Sequence, residues 1–92
     1  MENVKKARVF KAFCDENRLK ILELLAHGEM CACKLQEELA VGQSTLSHHM
    51  RILCDADVVI PRRDGKWTHY SLNREGGELA VQLLQEVLHL SD

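Results

Sequence analysis

The sequence lacks the features that would place the protein in a membrane or an export pathway. No apolar run reaches about 18 residues, the length that a bilayer-spanning helix needs. The N-terminus, from Met1 to Lys6, has no apolar segment of the kind that a signal peptide requires. We therefore expect a cytoplasmic protein with no membrane partner, whose four cysteines serve as thiols for metal or redox chemistry rather than as disulfides.

The chain also lacks a surplus of positive charge. A formal net charge of −2 excludes a globally basic coat for nucleic acid, so any DNA binding must come from local patches. Basic residues gather near the N-terminus and between residues 51 and 66, whereas residues 15–42 are more acidic than basic. The second half of the chain is therefore the better candidate for phosphate contacts.

Low-complexity segments, internal repeats and linkers are missing as well, which predicts a single domain over residues 1–92. Apolar spacing predicts helices near 3–13, 16–27, 34–39, 45–54 and 75–89, with Asp15 and Ser44 as N-caps. Strands at 58–63 and 66–72 flank Asp64-Gly65, a dipeptide that favours a type I′ hairpin. The sequence predicts an α+β fold, mostly α: a winged helix-turn-helix with a two-stranded β-hairpin wing.

The last predicted helix carries an apolar stripe that is too wide for one small core. Leu79, Leu83 and Leu84 lie on it, as do Val87 and Leu88. Exposed stripes of this kind mark association surfaces. We expect a homodimer that packs through its first and last helices.

The fourth predicted helix is polar at its start, as recognition helices of the major groove are. Candidate DNA contacts are Gln43, Ser44, Thr45, Ser47, His48, His49 and Arg51 on this helix and Arg62, Arg63 and Lys66 on the wing. Short hydroxyls suit phosphates, whereas Gln43, Ser47 and His48 can reach base edges. Two alternatives stay open: His49 packs inside the protein, or the whole surface contacts another protein rather than DNA.

Cys31 and Cys33 form a thiol pair before the third predicted helix. Residues i and i+2 diverge on a helix but share a face in an extended segment, so the pair should precede the helix, with Cys33 near its N-cap. Helix amides there lower the pKa of a thiol and prepare it for a soft metal. The alternatives are that Cys33 is a small buried residue and Cys31 an incidental neighbour, or that the thiols sense oxidants or persulfide.

Nearly the whole chain resembles the ArsR/SmtB family of winged-helix repressors. The resemblance rests on FKAFCDENRL at 10–19, GEMCACKL at 28–35, GQSTLSHHMRIL at 42–53 and DGKWTHYSL at 64–72. It implies a homodimer that represses a metal or metalloid resistance operon and leaves its operator when the ion binds. The position of Cys31 and Cys33 matches the site that senses arsenic(III) or antimony(III) in that family, although another soft metal ion is also compatible.

Two departures from the family pattern bear on the inducer. Gln36 stands where arsenic-responsive members often have a third cysteine, so a third ligand would have to be Cys14, Cys54, a residue of the partner subunit or an exogenous thiol. The zinc pattern of the final helix is absent. A cysteine enzyme that uses Cys31 with His27 is a further alternative. The sequence has no loop that would cradle a phosphate, so we expect no enzymatic activity.

Overall fold

The computed structural model describes residues 1–90 and places five helices and three strands in them. They are α1 (Asn3–Lys11), α2 (Glu16–Leu25), β1 (Met30–Cys31), α3 (Ala32–Leu39), α4 (Gln43–Asp55), β2 (Val59–Asp64), β3 (Trp67–Leu72) and α5 (Arg74–Val87). The mostly helical α+β winged helix-turn-helix that the sequence predicts is confirmed.

The helix ends follow local chemistry with one difference from the prediction. Asp15 caps α2, since its carboxylate accepts hydrogen bonds from the backbone N–H groups of Asn17 and Arg18 at 2.8 and 3.2 Å. The predicted N-cap Ser44 is wrong, because α4 begins at Gln43 with Gly42 as its N-cap. Gly42 is already extended, at φ −75° and ψ 167°, so the helix begins before Ser44 and that residue falls in the first turn.

The sheet has three strands instead of the predicted two. All pairs are antiparallel in the order β1-β3-β2, and β1 adds Met30 opposite Tyr70 and Cys31 opposite His69. A two-residue strand is too short to show an alternating pattern in the sequence. Pro61 lies on the edge strand β2, where its missing N–H costs no ladder bond.

The hairpin turn is shifted by one residue from the prediction. Asp64 pairs with Trp67, so the two-residue loop is Gly65 and Lys66. Gly65 has φ 62°, whereas neither Asp64 nor Lys66 has a positive φ. A positive φ at the first loop position alone is the pattern of a type II′ turn rather than the type I′ turn predicted.

The core forms where α2, α3, α4 and the base of the hairpin meet. Its fully buried side chains include Ile21, Leu35, Met50, Leu53 and Val59. Helix α4 contributes most to it, with Leu46, Met50, Ile52 and Leu53 on the inner face. The core therefore fixes the orientation of α4.

Helix α5 begins in close contact with the turn after α4. A Cβ on Gly76 would lie 1.7 Å from the carbonyl oxygen of Asp57, so only glycine permits this approach. The Asn73 side chain donates to the same oxygen at 2.9 Å. Asp57 itself adopts the left-handed conformation, φ 63°, which Asp tolerates better than most residues.

Much of the apolar surface of α5 and its C-terminal end stays exposed, with Val4 of α1. The exposed apolar side chains there are Leu79, Val81, Leu84, Val87, Leu88 and Leu90. A groove of about 430 Å³ lies between these helices, lined by Phe10, Phe13, Leu22, Ala80 and Leu84 among others. Among residues 1–90, no helix combines the length and apolar character that crossing a bilayer demands.

Candidate nucleic-acid interface and thiol pair

Helix α4 carries most of its predicted DNA contacts on the exposed face, opposite the side chains that pack in the core. Gln43, Ser44, Thr45, Ser47, His48 and Arg51 are all exposed. Five of them, all except Thr45, line one shallow concavity on the outer face of the helix. The structure therefore gathers hydrogen-bonding groups on one surface, at the N-terminal half of a helix, as base readout requires.

His49 is the exception, and its prediction as a surface contact is wrong. Its side chain is buried, and Nδ1 lies 3.0 Å from a guanidinium nitrogen of Arg18 and 3.9 Å from a carboxylate oxygen of Asp15. Burial lowers the pKa of His49 below its usual value, against the opposing effect of Asp15. The imidazole is therefore neutral at pH 7 and accepts a hydrogen bond from Arg18.

Arg18 is a buried residue that helps to position α4, and it was not among the residues predicted from the sequence. The guanidinium is buried and also donates to the carbonyl oxygen of Lys11 at 2.9 Å. It thus joins the end of α1 to α4 through α2. The available signal was its spacing, since Arg18 precedes the buried Ile21 and Leu25 of α2 at helical intervals.

A groove of about 450 Å³ lies between α3, α4 and the wing, which we define as β2, β3 and their turn. Gln43 and Ser47 line it from α4, and Arg63, Lys66 and Trp67 from the wing. The Lys66 ammonium lies 5.3 Å from the centre of the Trp67 ring, within cation–π range. The groove therefore joins predicted base contacts to two predicted phosphate contacts.

Arg62 does not share this groove, so the predicted cluster of Arg62, Arg63 and Lys66 is wrong for Arg62. Side chains alternate between the faces of a strand, so Arg62 lies on the opposite face from Arg63. Its guanidinium donates two hydrogen bonds to Glu29, at 2.9 and 2.7 Å. These bonds lower the pKa of Glu29, which remains ionised at neutral pH.

The thiol pair spans the junction of β1 and α3. Cys31 ends β1 and is the N-cap of α3, whereas Cys33 lies in the first turn of the helix. The prediction that both residues precede the helix is therefore wrong for Cys33, because α3 begins at Ala32. The extended backbone of Cys31, φ −76° and ψ 154°, keeps the two thiols near enough for each to alter the pKa of the other.

The pKa values of the two thiols are shifted in opposite directions. The neighbouring Cys33 thiol and then the backbone N–H of Lys34 lower the pKa of Cys31. The Cys31 thiol in turn raises the pKa of Cys33. Cys33 is exposed and lines the groove beside α4, which excludes a purely buried role for it.

The other two cysteines lie apart from this pair. Cys14 is exposed and its thiol donates to the carbonyl oxygen of Phe10 at 3.3 Å. Cys54 is partly buried, and burial raises its thiol pKa. Across residues 1–90, no three His, Cys, Asp or Glu side chains come together as a metal site.

The sequence and fold match known regulators. Residues 15–60 match the family described as bacterial regulatory protein, arsR family. The chain is 42% identical over 84 residues to an arsenical resistance operon repressor of Staphylococcus xylosus, covering 91% of this chain and 80% of that protein. It is 43% identical over 84 residues to an HTH-type transcriptional regulator of Methanocaldococcus jannaschii, covering 90% of this chain and 94% of that one.

The fold is also similar to solved structures of proteins that are described as transcriptional regulators. A winged helix-turn-helix DNA-binding domain of Mycobacterium bovis, described as homodimeric, superposes with a TM-score of 0.73 at 30% identity, covering 92% of this chain and 79% of that one. A structure described as a possible transcriptional regulator for arsenical resistance superposes with a TM-score of 0.77 at 28% identity, covering 87% and 82%. These proteins are transcriptional regulators, in agreement with the expectation that the chain is no enzyme. The chain belongs to the arsR family of bacterial regulatory proteins.

Proposed function

We propose that this protein is a metal(loid)-responsive transcriptional repressor of the cytoplasm. It binds operator DNA as a homodimer and is released when arsenite, antimonite or another soft metal ion binds Cys31 and Cys33. The observation that carries the proposal is the position of the thiol pair at the start of α3, where Cys33 borders the groove of the DNA-reading surface. The relatives named arsenical resistance operon repressors support it.

The DNA-binding half of the proposal rests on α4 and the wing. Gln43, Ser47 and His48 read base edges, while Arg63 and Lys66 neutralise flanking phosphates. Two copies associate through the exposed apolar residues of α1 and α5. The similar domain of Mycobacterium bovis is described as homodimeric, which supports the association. Their recognition helices then enter successive major grooves about 34 Å apart.

The ligand half rests on sulfur chemistry. Thiolates prefer soft ions such as arsenic(III), antimony(III), zinc or cadmium over magnesium and calcium. Cys31 is biased toward its thiolate, and Cys33 releases its proton when the ion binds. A third ligand comes from Cys14, Cys54, the partner subunit or an exogenous thiol.

Ligand binding changes the shape of the DNA-reading surface. The first turn of α3 holds Cys33, and Leu35 of the same helix packs in the core with Leu46 of α4. Closing two sulfurs around one ion rearranges this turn next to Gln43 and Ser47. A difference of about 1–3 kcal/mol between the two forms lowers operator occupancy by one to two decades.

The test is a double variant, Cys31→Ser with Cys33→Ser, titrated on its own upstream promoter DNA and followed by fluorescence anisotropy. We expect unchanged affinity without ligand and no release by arsenite. A matched variant, Cys14→Ser with Cys54→Ser, controls for general thiol reactivity and reports on the third ligand. Release of the Cys31/Cys33 variant by arsenite at the wild-type concentration would refute the proposal.

A redox signal is the second candidate, and the lowered pKa of Cys31 beside the Cys33 sulfur favours it. Peroxide would accept two electrons from the thiols, leave as two waters and join the sulfurs in a disulfide. Persulfide would act on the same pair. Release of DNA by peroxide or persulfide in metal-free buffer, reversed by dithiothreitol, distinguishes this signal from metal binding.

A further inference from the structure

Strand β1 connects the thiol pair directly to the wing. Cys31 pairs with His69 of β3, and His69 pairs in turn with Arg62 of β2. Directly opposed residues lie on the same face of a sheet, so the three form one row across all three strands. The thiol that is more readily ionised therefore lies in the sheet that carries the wing.

The ion pair between Glu29, which immediately precedes β1, and Arg62 of β2 lies beside this row. Glu29 lies two residues before Cys31, and the two guanidinium–carboxylate bonds reach it across β3 from the opposite edge strand. A bidentate pair fixes orientation as well as distance. Glu29 and Arg62 thus connect the two edge strands of the sheet through side chains.

The attachment of β1 to β3 is otherwise weak. Only two residue pairs join these strands, whereas six join β2 to β3. A displacement of Cys31 therefore has two outcomes: β1 separates from β3, or the part of the hairpin beyond its buried base moves with β1. The ion pair opposes separation, because leaving β3 would break both of its hydrogen bonds.

We propose that Glu29 and Arg62 are positioning residues that transmit ligand binding at Cys31 to the wing, and so withdraw Arg63 and Lys66 from the operator. This inference rests on the proposed function and assigns part of its regulation to the wing, in addition to the rearrangement of α3. Arg62 then acts through the hairpin and does not contact DNA itself. Its position on the face opposite Arg63 fits this role.

The experiment compares wild type with Glu29→Gln, Arg62→Gln and the exchanged pair E29R/R62E. The probe is phenylarsine oxide, which bridges two thiols, and adduct formation is checked by mass spectrometry. Operator affinity is measured by anisotropy with and without the adduct. Emission of Trp67, the single tryptophan, reports on the wing without DNA.

We expect all four proteins to bind the free operator within about threefold of one another. The factor by which the adduct weakens binding should be about two- to fivefold smaller in either single variant, because an exposed ion pair contributes only part of the coupling and α3 supplies the rest. The exchanged pair should restore it, which a merely structural role would not predict. The adduct should shift Trp67 emission in wild type and the exchanged pair, and less in the single variants.

The outcomes separate the two proposals. Equal coupling factors and equal Trp67 shifts in wild type and Glu29→Gln overturn the role of the ion pair, as does an exchanged pair that stays uncoupled. A Trp67 shift that depends on the ion pair, without release of DNA, overturns the withdrawal of Arg63 and Lys66 from the operator together with the proposed function. Failure of the thiols to form the adduct overturns both.

Discussion

The recognition helix α4 and the wing are attached to the molecule in different ways. Helix α4 buries four apolar side chains in the core and binds Arg18 through His49. The wing ends in an exposed hairpin and is joined to the rest of the sheet by a two-residue strand and an exposed ion pair. The difference indicates that the helix provides a fixed reading surface, whereas the wing is the part that a small energy can move.

Shortening a core side chain of α4 should lower the free energy of unfolding more than any other substitution considered for α4 or the wing. Leu53 is fully buried, so Leu53→Ala should lower the free energy of unfolding by about 2–5 kcal/mol. Ile60→Ala, on the half-exposed edge strand of the wing, should cost less than about 1 kcal/mol. Urea titrations followed by circular dichroism measure both, and equal losses would contradict a difference in attachment.

Replacing Arg18 should lower the free energy of unfolding more than replacing Arg62. Arg18→Leu leaves the Lys11 carbonyl and His49 without their donor, and should cost about 1–3 kcal/mol. Arg62→Leu removes a solvent-exposed ion pair, so it should lower the free energy of unfolding much less than Arg18→Leu does. If thermal unfolding ranked Arg62→Leu as the more damaging change, the wing would be more firmly held than we infer.

Substitutions on the two faces of the wing should affect the salt dependence of DNA binding differently. Arg63→Gln removes a phosphate contact and should lower the slope of log affinity against log salt by about one. Arg62→Gln should leave the slope unchanged, because Arg62 is on the other face and bound to Glu29. Anisotropy titrations over a series of salt concentrations provide the slopes, and a reduced slope in both variants would place both arginines on DNA.

Acidification should weaken the anchor of α4 with a shallow dependence on pH. The pKa of His49 is lowered by burial, so the unfolded chain binds a proton at a higher pH than the folded one. Stability is therefore full above the unfolded value near 6.5 and decreases as the pH falls from there through the folded pKa. The slope should not exceed that of one proton, about 1.4 kcal/mol per pH unit.

His49→Asn should flatten this dependence, whereas His48→Asn should retain it because His48 is exposed. Unfolding free energies at a series of pH values between 7 and 5 provide the comparison. A flat profile in wild type would show that His49 is protonated equally in both states.

Local patterns in the sequence sufficed to predict the helices, the hairpin and the outer face of α4. Apolar spacing, an Asp cap and a Gly-containing turn each act within a few neighbouring residues, so their signal survives in one sequence. The resemblance to a family of repressors added the prediction that Cys31 and Cys33 bind the inducer, which stays a prediction. The observed start of α3 and the observed hairpin loop differ from the predicted ones by one or two residues, because both depend on which residues pair across the sheet.

Only the tertiary structure decided the partners of polar side chains. Arg18 and His49 are 31 residues apart in the chain, and Glu29 and Arg62 are 33 apart. Which face of α4 is buried, and which strand lies beside β3, depends on how the elements pack, and a residue's type and immediate neighbours do not contain that information. The sequence therefore predicts His49 and Arg62 as DNA contacts, whereas in the fold His49 is bonded to Arg18 and Arg62 to Glu29.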